Sequence, residues 1–318
     1  MVVGTGIQFQ DFRIMNKAEL TQFIKSEALR LGFDICGTAK AEAVPDDVIR
    51  LYNQWIAQEY HGTMQYLQRN CEKRFDPTQL VEGCKSIVVV ALNYYPSHPV
   101  EGMASYAIGN DYHKIVKDKL YTLLNNINAV HPVKGRAFCD SAPVLERHWA
   151  VQAGIGWIGN NRQLIIPHKG SYFFLGELLI DAELEYDTPF TANHCGKCRK
   201  CIDNCPTGAL SDEGFDARKC LSYLTIEYRG ELPENIGKKM ENRFYGCDCC
   251  LKACPHNKFS TPNNTPEFKP SDELLKMNVS KWQNLTREQY DTLFAKSAVE
   301  RCGYEQLMRN ISAIKEEE

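Results

Sequence analysis

No run of apolar residues in this 318-residue chain reaches the roughly 20 needed to cross a bilayer as a helix. A membrane-spanning role is therefore not expected, and a cytoplasmic location is. Neither sign of charge is in surplus: 37 Lys and Arg against 40 Asp and Glu leave a net charge of −3. That excludes a global basic field for nucleic acid, so any RNA contact must come from local patches. The first eleven residues hold no arginine pair and nothing resembles a secretory signal, which argues against export and against a disulfide framework. Composition is otherwise ordinary, 43% hydrophobic and 24% charged, enough for a sizeable core and roughly two domains.

What the chain has in excess is cysteine, fourteen in all. Four lie in Cys195-Gly-Lys-Cys198-Arg-Lys-Cys201-Ile-Asp-Asn-Cys205-Pro206, with spacings of two, two and three residues and a closing proline. This is the bacterial ferredoxin run, in which three thiolates wrap one 4Fe–4S cluster and the fourth reaches a different cluster. A second set must then exist. Cys247-Asp-Cys249-Cys250-Leu-Lys-Ala-Cys254-Pro255 repeats the second half of the run, proline included. Cys220, between the two runs, is the natural missing member. Crossed ligation puts Cys195, Cys198, Cys201 and Cys254 on cluster one, and Cys205, Cys220, Cys247 and Cys250 on cluster two. Paired cysteines also build zinc sites, but three in one run plus Cys-Pro, seen twice, favour iron–sulfur. Cys249 is spare, packing or facing the cluster pocket. The other five (Cys36, Cys71, Cys84, Cys139, Cys302) are scattered singly and, with Cys249, read as small buried hydrophobes.

Hydrophobic periodicity predicts a helix over 17–32, capped by Asn16 and closed by Gly32, and another from Val48 to Ala57. The β-branched run from Ser86 to Asn93 predicts a buried strand. A helix follows from about Lys114 to Val130, then a short strand from Arg136 ending at Asp140 and a turn through Pro143. A further helix carries Glu146, Arg147 and Trp149. The glycines of Ala153-Gly-Ile-Gly-Trp-Ile-Gly superficially suggest a dinucleotide loop, but no strand immediately precedes them. Apolar runs at 163–166 and 171–180 complete an α+β pattern, not a doubly wound one. We expect a first domain at 1–190, a ferredoxin-like module at 191–260 and a helical tail at 261–318, with Thr286 and Gln289 as a capping box and frayed last residues.

Two clusters explain electron delivery only, so the first domain should hold a second redox or substrate site. Its candidates are polar residues near strand ends: Arg74, Asp111, Tyr112, His113, Asp140 and Arg147. Each has a plainer reading, as turn former, solvated charge or, for Glu146 and Arg147, an exposed helix face. Asp140 is the strongest, because an acid at a strand end can donate a proton into a cleft.

Glu72-Lys-Arg74, Gly109-Asn-Asp111-Tyr112-His113, Asp140-Ser-Ala-Pro-Val-Leu-Glu-Arg147, Ala153-Gly-Ile-Gly-Trp-Ile-Gly, Gly170-Ser-Tyr-Phe-Phe-Leu-Gly-Glu177 and both cysteine runs together resemble the epoxyqueuosine reductases. The resemblance covers the chain to about residue 260. It implies a nitroreductase-like α+β cobalamin domain followed by a two-cluster ferredoxin module, and reduction of epoxyqueuosine to queuosine in tRNA. By position Asp140 matches that family's proton donor, Arg74 and Ser171 fall in its cobalamin-binding segments, and Ser222 is a weaker carry-over beside Cys220. It implies tRNA as partner, an external electron donor such as a flavodoxin or ferredoxin, no membrane, and a monomer. Lys197, Arg199, Lys200, Arg243 and Lys252 could hold anticodon-stem phosphates or be an ordinary solvated face. The chain departs from the family at Gly159-Asn-Asn-Arg162, where a lysine is expected, and lacks the helical-repeat segment of longer members. A plain two-cluster electron carrier, or a reductive-dehalogenase-like cobalamin enzyme, are the rival readings.

Overall fold

The computed structural model describes residues 15–315. The frayed terminus expected at Glu316–Glu318 and the arginine-free start, Met1–Asp11, lie outside those residues, apart from Lys315.

The first helix, α1 (Lys17–Arg30), starts where its sequence says it should. The Asn16 side chain accepts from Glu19 N at 3.0 Å and Glu19 accepts from Asn16 N at 3.0 Å, a reciprocal capping box that satisfies two donors the helix leaves free. It ends at Gly32, whose φ of +90° is one that L side chains rarely adopt.

The first domain is built on strands β1 (Ile35–Lys40), β2 (Ser86–Asn93), β3 (Gly135–Phe138), β4 (Trp157–Ile158), β5 (Leu164–Ile165) and β6 (Phe173–Ile180). Four of these form one sheet in the order β1-β2-β6-β3, every neighbouring pair antiparallel. Its helices after α1 are α2 (Asp46–Ala57), α3 (Cys71–Phe75), α4 (Tyr112–Asn128) and α5 (Glu146–Gln152). All of β2 is buried, although an antiparallel sheet commonly leaves one face wet. Helices cover both faces: Val88, Val90 and Leu92 pack with α1 and α4, while Ile87, Val89 and Ala91 pack with Trp149 and Ala150 of α5. Each such side chain contributes about 1.5–3 kcal/mol when removed from water, which fixes the register, since a one-residue slip exchanges the two layers. The continuous apolar run is therefore a strand with two cores.

One expectation is corrected here, and the structure shows what the glycine-rich stretch is instead of a dinucleotide loop. The strand read as ending at Asp140 stops at Phe138, and Asp140 stands two residues beyond it with φ +54°. The glycine-rich stretch is a β-hairpin: β4 pairs with β5 across 159–163. A side chain at Gly156 would strike the Ile165 carbonyl, so that glycine serves close strand approach, not a cofactor phosphate.

The cysteine runs lead into short helices, α6 (Lys200–Asp203), α7 (Leu221–Ile226), α8 (Ile236–Met240) and α9 (Cys249–Lys252). Beyond them the tail folds as helices Asp272–Leu275, Val279–Gln283, Arg287–Phe294 and Tyr304–Lys315. The third carries the expected Thr286–Gln289 capping box. Trp282, Phe294, Leu307 and Ile311 share one core with Ile226, Phe244 and Tyr245 of the cysteine-rich region and with Val100, Ala107 and Ile108. Fully buried Asn310 donates to the carbonyls of Thr225 (2.8 Å) and Phe244 (2.9 Å). The tail is thus packed into the molecule. Among the scattered cysteines, Cys84, Cys139 and Cys302 are buried as expected, whereas Cys36, Cys71 and Cys249 are only half-buried.

Candidate functional site

Between the first domain, the cysteine-rich region and the tail lies a cavity of about 730 Å3. Its volume falls in the upper part of the roughly 300–1,000 Å3 common for cofactor and ligand sites. Five separate regions meet there. The ends of the central strands β2 and β6 give Tyr94 and Phe174; the start of α4 gives Asp111, Tyr112 and His113; the turn after β3 gives Asp140, Glu146 and Arg147. From the second half come Cys220, Ser222, Tyr223 and Cys247, and from the tail Ser297 and Arg301.

The acid is held from one side by α4. Asp111 caps that helix, accepting from His113 N at 3.0 Å and contacting His113 Nδ1 at 2.6 Å. This turns His113 Nε2 toward Asp140 Oδ2, 3.3 Å away. The Tyr112 hydroxyl donates to the same oxygen at 2.5 Å. Tyr112 is itself clamped between Phe174 and His113, with ring centroids 4.0 Å from each. Burial in the cavity wall opposes ionisation of Asp140, but the hydrogen bonds from His113 and Tyr112 outweigh it and hold the carboxyl down at about 2. His113 moves the other way: burial disfavours its charge, yet Asp140 and Asp111 together raise its proton affinity above the ordinary value. Tyr112 is raised too, first by burial and then by the Asp140 charge.

Of the residues singled out in the sequence, Asp140, Ser222, Asp111, Tyr112, His113 and Arg147 meet in this cavity. Arg74 and Ser171 do not line it. Arg74 is buried beneath Tyr52 and Tyr66, its guanidinium 5.6 Å from the Tyr52 ring centre and donating to the Tyr66 carbonyl at 3.3 Å. Ser171 is buried behind the wall, its N and Oγ both donating to Asn257 Oδ1 at 2.7 and 3.0 Å. Neither reaches the cavity wall through its side chain here, and the buried Nε of Arg74 has no hydrogen-bond partner. Glu146, read as part of an exposed helix face, turns inward instead and accepts from Asp140 N. Sequence reasoning missed Tyr94 and Arg301 on the cavity wall and Glu177 buried in β6 behind it, because nothing in their local pattern signals a cavity formed by distant segments.

Four of the cluster cysteines share one hollow. Cys195, Cys198, Cys201 and Cys254 line one hollow, with Asn160, Asn161 and His256. In the other set, Cys250 lies in electrostatic reach of Cys220 and Cys205, and also of Cys201 in the first hollow; Cys247 lies near Cys220. Among the described residues no three or more His, Cys, Asp or Glu close on a point that would hold a single ion. Cys249 sits beside Cys247, so it faces the cluster region. Cys220 and Cys247 also line the large cavity, whereas Cys195, Cys198, Cys201 and Cys254 do not.

Residues 194–257 match the 4Fe-4S double cluster binding domain, and residues 74–141 match the epoxyqueuosine reductase QueG model. An epoxyqueuosine reductase of Cyclobacterium marinum is 44% identical over 305 residues, covering 93% of this chain and 97% of the relative. The chain belongs to the epoxyqueuosine reductase family. An epoxyqueuosine reductase of Pseudomonas aeruginosa is 38% identical over 307 residues, covering 93% of this chain and 84% of that relative. A crystal structure of epoxyqueuosine reductase with an epoxyqueuosine-modified tRNA-Tyr stem loop superposes with a TM-score of 0.85 at 29% identity, covering 94% of this chain and 81% of that one. Family membership makes the chain an oxidoreductase acting in tRNA modification, with a 4Fe–4S double-cluster domain and the expected fold class. Among the described residues no helix is long and apolar enough to cross a membrane.

Proposed function

We propose that this chain reduces the epoxide of epoxyqueuosine to the alkene of queuosine at the wobble position of tRNA, with cobalamin in the large cavity. The observation that carries this reading is that one cavity is lined both by Asp140 and by Cys220 and Cys247, two of the thiols assigned to cluster two. Its size and its aromatic wall of Tyr94, Tyr106, Tyr112 and Phe174 suit a large planar cofactor. Cobalamin, when bound, supplies a low-valent cobalt that delivers two electrons to the epoxide carbon. Two protons complete the balance, and the oxygen leaves as water.

The protein's part is to hold and move those protons. In the open cavity Asp140 is a carboxylate, and His113, held between two carboxylates, stores a proton 3.3 Å from it. Displacing water from the cavity raises the cost of charge at Asp140 and draws that proton onto Oδ2, from which it passes to the leaving oxygen. Ser222, beside Cys220, is the cofactor-contact candidate on the cavity wall itself, while Arg74 and Ser171 lie behind that wall.

Electrons enter at cluster one, away from the cavity, from an external carrier such as a flavodoxin or ferredoxin. The base must leave the anticodon stack to reach the cavity. Of the basic residues near the clusters, Arg199 pairs with Asp203 and Asp212, and Arg243 with Glu241. Lys197, Lys200 and Lys252 are exposed and remain available for phosphates. Replacing Lys200 and Lys252 together by Ala should flatten the salt dependence of tRNA binding by about two phosphate contacts; an unchanged slope in a filter-binding titration excludes them.

The deciding experiment is nucleoside mass spectrometry on tRNA from cells lacking the gene. Epoxyqueuosine should accumulate and convert to queuosine when the wild-type gene is restored but not when Asp140→Asn is. Queuosine unchanged by the deletion, with no redundant enzyme present, would refute the assignment.

A further inference from the structure

Behind Asp140 lies a carboxyl pair for which the proton transfer just described has no use. Glu177 sits in the middle of β6, in register with Phe138 of β3 and Val89 of β2. It is fully buried, and neither of its carboxyl oxygens has a donor. An isolated ionised carboxylate in such a place is prohibitively unfavourable. Its neighbour is Glu146, at the first turn of α5, and the two side chains meet. Two carboxylates offer each other no hydrogen, so the contact becomes a hydrogen bond only when the pair holds a proton. The far side of Glu146 reaches the turn after β3, where Oε1 accepts the backbone N–H of Asp140. That residue holds a left-handed conformation, φ +54°, sparsely populated by side chains other than glycine, and its carboxyl is largely open to the cavity.

We propose that Glu177 and Glu146 are positioning residues: a proton-sharing carboxyl pair, anchored in the sheet, that latches the Asp140 turn through Glu146 Oε1 and so aims the acid into the cavity. The effect on turnover rests on the reading of Asp140 as the acid; the latch itself does not.

The surroundings are consistent with a retained proton. Burial, then the Asp140 charge, pushes Glu146 up to about 8. Burial, then the Glu146 charge, pushes Glu177 well above the ordinary value. Glu146 is faced by Asp140, Glu177 and Arg147, and Glu177 by Glu146 and Asp140. The thiol of Cys139 adjoins both glutamates, while Tyr112, His113 and Arg301 face Asp140. Arg147, the nearby cation, donates to the Arg162 carbonyl and favours ionised Glu146, but less strongly than burial and the Asp140 charge oppose it.

The test is amide hydrogen exchange of the cluster-loaded full chain, read at Asp140, alongside kcat and KM. In Glu146→Ala the Asp140 amide should lose roughly tenfold or more of its protection, and kcat should fall about a hundredfold with KM for tRNA little changed. Glu146→Gln should keep both near wild type, since its carbonyl still accepts from Asp140 and its amide donates to Glu177. In wild type the protection factor should fall as pH rises through about 8; in Glu146→Gln it should not. Unchanged Asp140 protection in Glu146→Ala overturns the latch. Loss of protection in Glu146→Gln, with cluster absorbance intact, overturns the shared proton. Should Glu146→Ala not fold, the Gln variant and its pH profile decide the question. If Asp140→Asn retains turnover, the acid assignment fails while the exchange result still judges the latch.

Discussion

The cysteine-rich module and the cavity beside it are built by opposite rules. In the module, ligands lie two or three residues apart within each run, so a short loop and a turn of helix bring most of them together. In the cavity, Tyr94, Asp140, Cys220 and Arg301 come from stretches far apart in the chain and meet only because a sheet, a cysteine module and a tail pack together. The comparison teaches that spacing reveals chemistry when the ligand is bound locally. It says little when the site is an interface between packed units.

The comparison can be broken at either end. The largest effect should come from the module: Cys250→Ser removes a ligand whose neighbours are Cys220 and Cys205, so about half the iron should be lost and turnover abolished. Iron content and the electron paramagnetic resonance spectrum would show it; a full complement of iron would break the assigned ligand set. Next is Asp140→Asn, expected to cost about 10²–10⁴ in kcat with cluster spectra and cobalamin binding intact. Equal loss of both clusters would mean that the cavity and the module are not separable.

A smaller effect tests whether the tail belongs to the cavity. Phe294 is buried in the core shared with Phe244 and Tyr245, so Phe294→Ala should destabilise by about 3–5 kcal/mol in denaturant unfolding. Because Ser297, Ala298, Glu300 and Arg301 line the cavity a few residues on, cobalamin affinity should also drop. Stability loss without any change in affinity would sharpen the separation instead. The smallest effect is a pH slope. Glu146 and Glu177 bind protons more tightly when folded than in the unfolded chain. Between the ordinary carboxyl value of about 4.5 and about 8 the unfolded chain has released protons that the folded one keeps, so stability falls as pH rises through that window. The raised His113 contributes in the same direction, and Asp140, lowered, contributes only below this range. Glu177→Gln leaves both of those untouched, so its melting temperature should vary by a few degrees less than wild type across the window. Equal slopes would show that the pair holds no proton.

Much of this was legible beforehand, and the reasons are local. The capping boxes at Asn16–Glu19 and Thr286–Gln289 depend on three-residue spacing. The β2 strand was legible because eight residues from Ser86 to Asn93 leave no polar face. Asp140 stood out as an acid after a short strand, although its exact place was not, because a left-handed residue two positions past Phe138 has no sequence signature when it is not glycine. Arg74 and Ser171 look like site residues by resemblance, but their side chains lie behind the cavity wall, Arg74 under the Tyr52 ring and Ser171 against Asn257, a placement that no local pattern encodes. Glu146 looked like an exposed helix charge until β6 put Glu177 beside it.

By itself, then, the sequence determined the chemistry that short spacing can encode: two cysteine sets, the helix starts, a strand buried on both faces and an acid near a cleft. Only the tertiary structure decided where that chemistry converges. Which carboxyl is open to the cavity, which is sealed in the sheet, and which thiols line the cavity are set by contacts between residues tens to hundreds of positions apart. Such contacts depend on how layers pack, and packing is a property of the whole chain.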